Sequence, residues 1–558
     1  MNAPLPSSPL GTALGLQAQL QRLTDYAWST LRAQLDARGP WTEVIDEAQV
    51  VCYELAFISA EVHAMGALLR YAERCGEAAD LPLETQLALS FAADVGVKVR
   101  LRFERVRDDL DLPAEMLLGV FESPTLRAFS RAWLAPAALA QLGAGVLAAG
   151  QCGRSMLPED KQIIAASCAR VTNEVVAPHA ERIHREDLTI PDEILNALSD
   201  LGCFALSIPE RFGGTAPASG PDNLALVVVT EELSRGSLAA AGSPLTRPEI
   251  VARALLAGGD EAQNARWLPG IARGEPLCAI AVTEPDCGSD VAAVRLRASR
   301  VPGGFVLNGA KTWCTFAGRA ALLLVLARTN PDPAAGHRGL SLFLLEKTTT
   351  DEHAFEFQQA TGGVLSGRAI PTLGYRGMHS YTLFFDNVFV PAENLVGGAD
   401  AEGRGFYLTM AGFAGGRLQT AARACGLMRA AFDAAARYAQ DRKVFGKPLA
   451  DYQLTLAKFA LLGAALRACQ EMTYEVAGLM DAGQGQMQAS LVKLYACRAA
   501  EHLTREALQI HGGMGYSEET CVSRYFVDAR VLSIFEGAEE TLALKVVARE
   551  LLTNAQPR

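Results

Sequence analysis

Twice along the chain the hydrophobic pattern changes period, and those two switches decide the architecture. Up to residue 278 apolar side chains recur at helical spacing: Leu16, Leu20 and Leu23 mark one face, and residues 50–71 form a long apolar-rich run with neither Gly nor Pro before Gly66. Further helices are expected at 85–107 and 126–142, and the Gly- and Ala-rich stretch 143–153 reads as a linker. A second helical region opens at Pro158-Glu159-Asp160-Lys161, with acids in the first turn as the helix dipole favours, and is interrupted by the turn-rich Ser207-Ile208-Pro209-Glu210-Arg211-Phe212-Gly213-Gly214. Beyond Cys278 the runs shorten to strand length: 304–309 reads as a hairpin arm and turn, and 321–327, 339–345, 381–385 and 388–391 as strands. From Arg404 long helices return, to about 442 and then at 453–480, 486–510 and 541–552, which implies an antiparallel bundle. The expected fold is therefore mainly α with a central β-domain, divided at 1–155, 156–278, 279–400 and 401–558.

At 558 residues the chain is long enough for several cores. Its formal charge of −11 argues against a general nucleic-acid binder, which needs a basic surface, although a local basic pocket is compatible with it. No run approaches the ~20 consecutive apolar residues of a membrane span. The Pro- and Ser-rich start up to Gly11 reads neither as a secretory signal nor as an Arg-rich transit segment. The 12 cysteines are scattered without Cys-x-x-Cys or Cys/His zinc spacing, so no metal site is expected and the thiols read as reduced, in a cytoplasmic protein.

Four widely spaced segments carry the chemistry. They are Ala281-Val282-Thr283-Glu284-Pro285-Asp286-Cys287-Gly288-Ser289-Asp290, Trp313-Cys314-Thr315, Arg442-Lys443-Val444-Phe445-Gly446-Lys447, and Ile534-Phe535-Glu536-Gly537. Taken singly each is bland. A lone Trp is more often core filler than a cofactor wall, an Arg ending a helix usually just serves the dipole, and a lone Glu-Gly pair means nothing. In this order, over about 158–555, they resemble the acyl-CoA dehydrogenases, flavoenzymes that hold FAD and a carboxylate base on opposite faces of an acyl thioester.

The resemblance implies roles residue by residue. Ile280, Val282, Thr283, Gly288 and Ser289 would meet the flavin edge with backbone and hydroxyl groups, Ser289 also touching substrate, and Gly288 would let the backbone come close. Trp313 would lie against the ring and Thr315 would bond the ring nitrogen that receives hydride. Arg442 and Phe445, with Gln509, Gly512 and Gly513 of Gln509-Ile510-His511-Gly512-Gly513-Met514-Gly515-Tyr516, would reach the FAD of a neighbouring subunit, so a homodimer or homotetramer is implied. Glu536 would be the base, with its own backbone N–H helping to polarise the thioester carbonyl beside Gly537. Some relatives place the base on an earlier helix, in the stretch that here reads Phe413-Ala414-Gly415-Gly416-Arg417 and holds no carboxylate. Phe413 and Arg417 match the CoA side, although Ala414 replaces a common Asp. After the base, Ala538, Glu539 and Glu540 depart from the usual Thr-Ser-Gln; Glu540 remains a cofactor candidate, and solvated charges at a helix start are the plainer reading of both acids.

Substrate choice turns on Thr246-Arg247, in a region that is apolar and small in many relatives. A buried guanidinium needs an anion, and relatives acting on glutaryl-CoA hold the distal carboxylate from this region. A surface ion pair with Glu249 or another carboxylate is the competing reading of Arg247. The helices before the family core are similar to those of the group acting on (2S)-methylsuccinyl-CoA, which yields mesaconyl-CoA and passes electrons to electron-transfer flavoprotein. The alternatives are another short-chain or glutaryl-type acyl-CoA, an acyl-CoA oxidase, and a non-catalytic flavin- or acyl-CoA-binding assembly protein.

Overall fold

The computed structural model describes residues 8–76, 81–218 and 220–555, so most of the Pro- and Ser-rich start lies outside the described residues. The chain divides into two compact units, one made of Met1–Glu159 with Met428–Arg558 and the other of Asp160–Leu427.

In the first unit the N-terminal helices share a core with the last part of the chain. Pro9–Asp36, Gln49–Cys75 and Leu83–Val106 are long helices, and Gln453–Asp481 and Gln486–His511 supply the C-terminal half. The stretch from Trp41 to Cys75 is long and apolar enough to cross a membrane, but most of it is buried in this unit, as a core helix is. Ion pairs tie the halves at the edge, with Arg70 bonded to Glu475 at 2.9 and 2.6 Å and Arg74 to Glu471 at 2.7 Å. Arg467, buried, donates to the carbonyls of Cys152 and Gly153 at 2.8 and 2.6 Å.

Two expectations are corrected here. The helix read over 126–142 is two helices, Pro124–Trp133 and Pro136–Ala149. Pro136 has no N–H to continue the first, and it drives Ala135 to an extended ψ of 135°. The Gly-rich linker read from 143 is helical as far as Ala149, and its first glycine is a contact surface. A Cβ on Gly143 would fall 1.9 Å from the Leu456 carbonyl oxygen, so only glycine lets the two helices approach this closely. Short helices at Ala114–Phe121 and Cys521–Leu532 lie outside the sequence reading.

The second unit packs helices on a sheet. Its strands are β1 (Cys278–Ala281), β2 (Arg297–Val301), β3 (Gly304–Thr315), β4 (Leu322–Arg328), β5 (Leu340–Glu346), β6 (Ala354–Gln358), β7 (Val364–Ile370) and β8 (Ser380–Pro391). They form one sheet in the order β1-β4-β2-β3-β8-β7-β6, with β5 paired to β4. Strand β4 is apolar from Leu322 to Ala327 because both of its faces are covered. Leu322, Leu324 and Leu326 join the core made with Val251, Leu255 and Leu268 of the helices Thr246–Gly258 and Glu261–Ala272. Leu323, Val325 and Ala327 join the core made with Phe305, Phe343 and Leu383.

The expected hairpin turn at Asn308-Gly309 is instead a continuation of β3 opposite a bulge in β8, where pairing shifts between Leu307 and Gly309. Asn387, in that bulge, is left-handed at φ 51° and donates its N–H to the Asn308 side chain at 2.9 Å. That extra residue re-aims both strands without ending either, so the two segments read at 381–385 and 388–391 are one strand. The hairpin turn itself comes earlier, at Pro302-Gly303, where Gly303 has φ 82°.

Candidate active site

The segment after β1 turns back on itself at once. Glu284 and Cys287 exchange backbone hydrogen bonds of 2.9 and 3.0 Å. The buried Glu284 carboxylate accepts from the N–H groups of Arg295 and Leu296 at 2.8 and 2.7 Å and from Lys311 Nζ at 2.9 Å. Lys311 is fully buried and also donates to the Val282 carbonyl at 2.8 Å. Burial holds its pKa below the ordinary lysine value, against the attraction of Glu284. This ion pair fixes the turn from beneath; Glu284 stands in a quoted motif string and Lys311 two residues before Trp313, and the sequence assigns neither a role. Above it, Val282 is buried, Ile280 and Thr283 are half-buried, and Gly288 and Ser289 are exposed. A Cβ on Gly288 would meet only Thr283 Cγ2, at 3.8 Å, so its open face admits a ligand against the backbone.

Strand β3 brings the second segment alongside, with the Thr312 N–H donating to the Thr283 carbonyl at 2.8 Å. Pairing with β8 shifts again between Lys311 and Cys314, and within that irregularity Trp313 is left-handed at φ 56° with its residue 55% exposed. A large ring turned outward from a strand has lost its burial free energy, which is the expected state of a wall awaiting a planar ligand. Thr315 is buried two residues on, its hydroxyl 2.9 Å from that of Ser380.

The acyl-side residues lie on the helices Thr246–Gly258 and Gly405–Asp441. Arg247 is buried at 6% exposure, which overturns the surface half of its competing reading. Glu249 is engaged by Arg253, one helical turn on. A second guanidinium, unnoticed in the sequence because it sits mid-helix, belongs to Arg423, fully buried, donating to Thr246 and Thr420 hydroxyls at 2.7 Å each. Thr246 in turn donates to the Gln419 side chain at 2.7 Å. Phe413 and Arg417 are half-buried on the same helix, and the side chain at Ala414 lies outside the description.

One further cluster lies outside those segments. The ligand atoms of Asp187, His353 and His379 all lie within 4.8 Å of one another, in a cluster that no sequence spacing announces. His379 Nε2 is 3.2 Å from the Asp187 carboxylate, and Arg376 is 3.7 Å from that same oxygen.

The first unit carries the remaining segments. Glu536 is half-buried at the end of the helix Cys521–Leu532, left-handed at φ 53°, and Gly537 follows at φ 96°. The Gly537 carbonyl accepts from Lys493 Nζ at 2.6 Å, and the chain re-enters a helix at Glu539. Glu540 is exposed in that helix's first turn, but Glu539 is buried and bonded to Arg498 and Tyr53, so the reading of both acids as solvated is corrected for Glu539. Phe445 and Gly446 form a two-residue hairpin turn between Lys443–Val444 and Lys447–Pro448, with φ 48° and 89°, the primed geometry such hairpins favour. Phe445 is 99% exposed, and Arg442, Gln509, Gly512 and Gly513 are exposed with it.

These residues fit a flavin dinucleotide. In the second unit, open backbone at Gly288, an outward indole at Trp313 and hydroxyls at Thr283, Ser289 and Thr315 suit a flavin ring, and in the first unit open backbone at Gly446, Gly512 and Gly513 suits close approach of a dinucleotide.

Comparison with known proteins covers the chain in three pieces. Residues 158–275, 279–388 and 403–552 match the N-terminal, middle and C-terminal domain models of acyl-CoA dehydrogenase. The (2S)-methylsuccinyl-CoA dehydrogenase of Cereibacter sphaeroides is 37% identical over 98% of this chain and 99% of its own, a span that includes the N-terminal helices lying outside the domain models. A glutaryl-coenzyme A dehydrogenase solved with glutaryl-CoA has a TM-score of 0.65 and 29% identity, over 72% of this chain and 98% of its own. A glutaryl-CoA dehydrogenase of Mycobacterium smegmatis in complex with FADH2 has a TM-score of 0.62 and 26% identity, over 72% and 97%.

Proposed function

This chain belongs to the acyl-CoA dehydrogenase family and is an oxidoreductase acting on CH–CH bonds, and from that premise we propose that it oxidises (2S)-methylsuccinyl-CoA to mesaconyl-CoA with bound FAD. The observation that carries the substrate is the pair of buried guanidiniums. Arg247 and Arg423 flank Thr246 in the acyl-side region, where a monocarboxylic chain would want hydrocarbon walls. A region that carries two buried guanidiniums suits an acyl group with a negative charge better than a purely hydrocarbon one, and a dicarboxylic acyl group brings that charge. The similarity to a methylsuccinyl-CoA enzyme across the N-terminal helices supports the same choice.

In this reading Glu536 takes the α-proton onto its carboxylate. Its backbone N–H, set by the left-handed turn, bonds the thioester carbonyl, so charge developing on that oxygen is stabilised as the proton leaves. Phe413 and Arg417 contact the CoA portion, and Arg247 with Thr246 holds the free carboxylate, fixing which carbons face the base. FAD, when bound, accepts the two electrons and the hydrogen leaving the β-carbon. Thr283, Ser289, Trp313 and Thr315 orient it, while Arg442, Phe445, Gln509, Gly512 and Gly513 serve the FAD of a partner copy in a homodimer or homotetramer. Glu540 stays a lesser cofactor contact. Electron-transfer flavoprotein is the proposed acceptor, and the cytoplasm the proposed location.

The test is anaerobic bleaching of the flavin absorbance by methylsuccinyl-, glutaryl-, isobutyryl- and butyryl-CoA. Rapid bleaching by methylsuccinyl-CoA alone supports the proposal. Preference for a monocarboxylic substrate removes the carboxylate clamp, and no bleaching by any of them removes the activity.

A further inference from the structure

The turn carrying Glu536 adopts a backbone that side chains with a Cβ avoid, at φ 53°, so something outside it must hold it. Its flanks show what does. On one side Lys493, buried, donates to the Gly537 carbonyl at 2.6 Å. On the other, the Glu539 N–H donates to the Ser533 carbonyl at 3.0 Å, closing the loop on itself. The Glu539 carboxylate is then gripped twice. Arg498 donates through Nε and, at 2.5 Å, through Nη2, and the Tyr53 hydroxyl donates at 2.5 Å. Arg498 Nη2 also donates to Tyr53 Oη at 2.7 Å, so the three groups form a closed triangle with the phenol proton directed at the carboxylate.

Tyr53 comes from the N-terminal helix Gln49–Cys75, 486 residues earlier in the chain. Phe57, one helical turn on, holds both partners: its ring centroid is 5.0 Å from that of Tyr53, and the Arg498 guanidinium lies over it at 5.4 Å. Burial and the neighbouring carboxylate push the Tyr53 phenol up, so it stays a proton donor. The same N-terminal helices reach the chain beyond the turn. Asp46 pairs with Lys545 at 2.5 Å, and Arg32 donates to the Leu552 carbonyl at 2.7 Å. The first of those grips falls within Leu542–Val547, which is wound as a π-helix, the kind of local distortion that recurs at functional sites.

We propose that Tyr53, through Arg498 and Glu539, is a positioning residue for the catalytic base, and that the N-terminal helices brace the Glu536 turn for catalysis in addition to any part they have in assembly. The inference rests on the reading of Glu536 as base. Tyr53 touches no reacting group and acts only through Arg498 and Glu539, setting where the Glu536 carboxylate and N–H stand.

The experiment uses the full-length FAD-loaded protein and compares wild type with Tyr53→Phe, Arg498→Met and Arg32→Ala. The last cuts an equally long-range contact of the same helices at a point remote from the turn. Flavin content, KM and the rate of anaerobic flavin reduction are read with methylsuccinyl-CoA and with its α-deuterated form. For Tyr53→Phe the reduction rate should fall roughly tenfold, as expected when a reacting group is misplaced by a fraction of an ångström. Flavin content and KM should hold, and the α-deuterium isotope effect should rise as proton abstraction becomes slower. Arg498→Met should lose more, and Arg32→Ala should keep the wild-type rate. A Tyr53→Phe rate equal to wild type overturns the brace, and so does an equal loss in Tyr53→Phe and Arg32→Ala. A wild type that no acyl-CoA reduces fails at the earlier step and takes the base assignment down first.

Discussion

The Trp313 segment and the Glu536 segment face the same structural difficulty and meet it in opposite ways. Each places a residue with a Cβ in the left-handed region, at φ 56° and 53°. Trp313 is held by its own sheet: Thr312 bonds the Thr283 carbonyl, Cys314 pairs with Tyr381, and Lys311 ties the floor to Val282 and Glu284. Backbone pairing and one buried lysine supply those contacts within one β-domain. Glu536 sits between helix ends, where the ladder has run out and orphan backbone groups must find side chains. Its supports are Lys493, Arg498 and Tyr53, brought from other helices by tertiary packing. Strand-borne geometry is thus carried locally, and the base turn depends on remote side chains.

The largest test of that contrast is chemical. Glu536→Gln keeps the size and the backbone turn but removes the carboxylate, so flavin reduction should fall by about 10²–10⁴-fold while flavin content and oligomeric state persist. Substantial reduction by that variant would place the base elsewhere and leave the turn without its reason. Next in size is Arg247→Ala. Loss of a buried charge partner should cost methylsuccinyl-CoA about 2–4 kcal/mol in kcat/KM, on the order of a hundredfold, and leave butyryl-CoA little changed. Equal losses on both substrates would mean that Arg247 serves the fold rather than the substrate.

That contrast also explains what could be read in advance. The three-part family core and its motif strings were legible because each motif is short, contiguous and tied to one strand or helix end. Hydrophobic period located most of the long helices and, in β4, a strand buried on both faces. Apart from the helix break at Pro136, which is local, the failures share a cause: they are interactions between segments far apart in sequence. Gly143 reads as a linker residue until the Leu456 carbonyl is placed against it. Arg423 is one more polar residue in a long helix until Thr246 meets it, and Glu539 is a solvated helix-start acid until Tyr53 and Arg498 arrive. Asp187, His353 and His379 come together only through folding. Composition and period carry no information about such meetings.

Two glycines sharpen the comparison at moderate cost. Gly288 has open space where a Cβ would go, so Gly288→Ala should leave thermal stability of the flavin-free protein unchanged while lowering flavin occupancy. Gly537 has φ 96°, and a Cβ there would meet Leu542 Cδ2 at 2.8 Å. Gly537→Ala should therefore strain the turn by about 1–3 kcal/mol, slowing flavin reduction roughly tenfold or more with flavin occupancy retained. Thermal melts and the flavin-to-protein absorbance ratio separate the two outcomes. If both variants lose flavin and stability together, the local-versus-remote distinction fails.

The smallest effect is a pH-dependent one, confined to the remote grip. Burial would raise the Glu539 carboxyl, but hydrogen bonds from Arg498 and Tyr53 outweigh it and hold the pKa below its ordinary 4.5. A carboxyl with a lowered folded pKa adds stability above its unfolded pKa, and that contribution disappears as pH falls through the folded value. Arg498 is half-exposed, with 53% of its side chain accessible, so solvent screening keeps the gain small. Arg498→Met should therefore lower unfolding stability by about 1 kcal/mol at neutral pH. The gap between the variant and wild type should then narrow as pH falls below 4.5 and close once it has passed through the lowered wild-type value, where Glu539 is protonated in both. Urea unfolding midpoints across that range provide the measurement. A gap that stays constant through the acid range would mean that Arg498 contributes packing rather than charge, and the triangle around Glu539 would then be held by its shape alone.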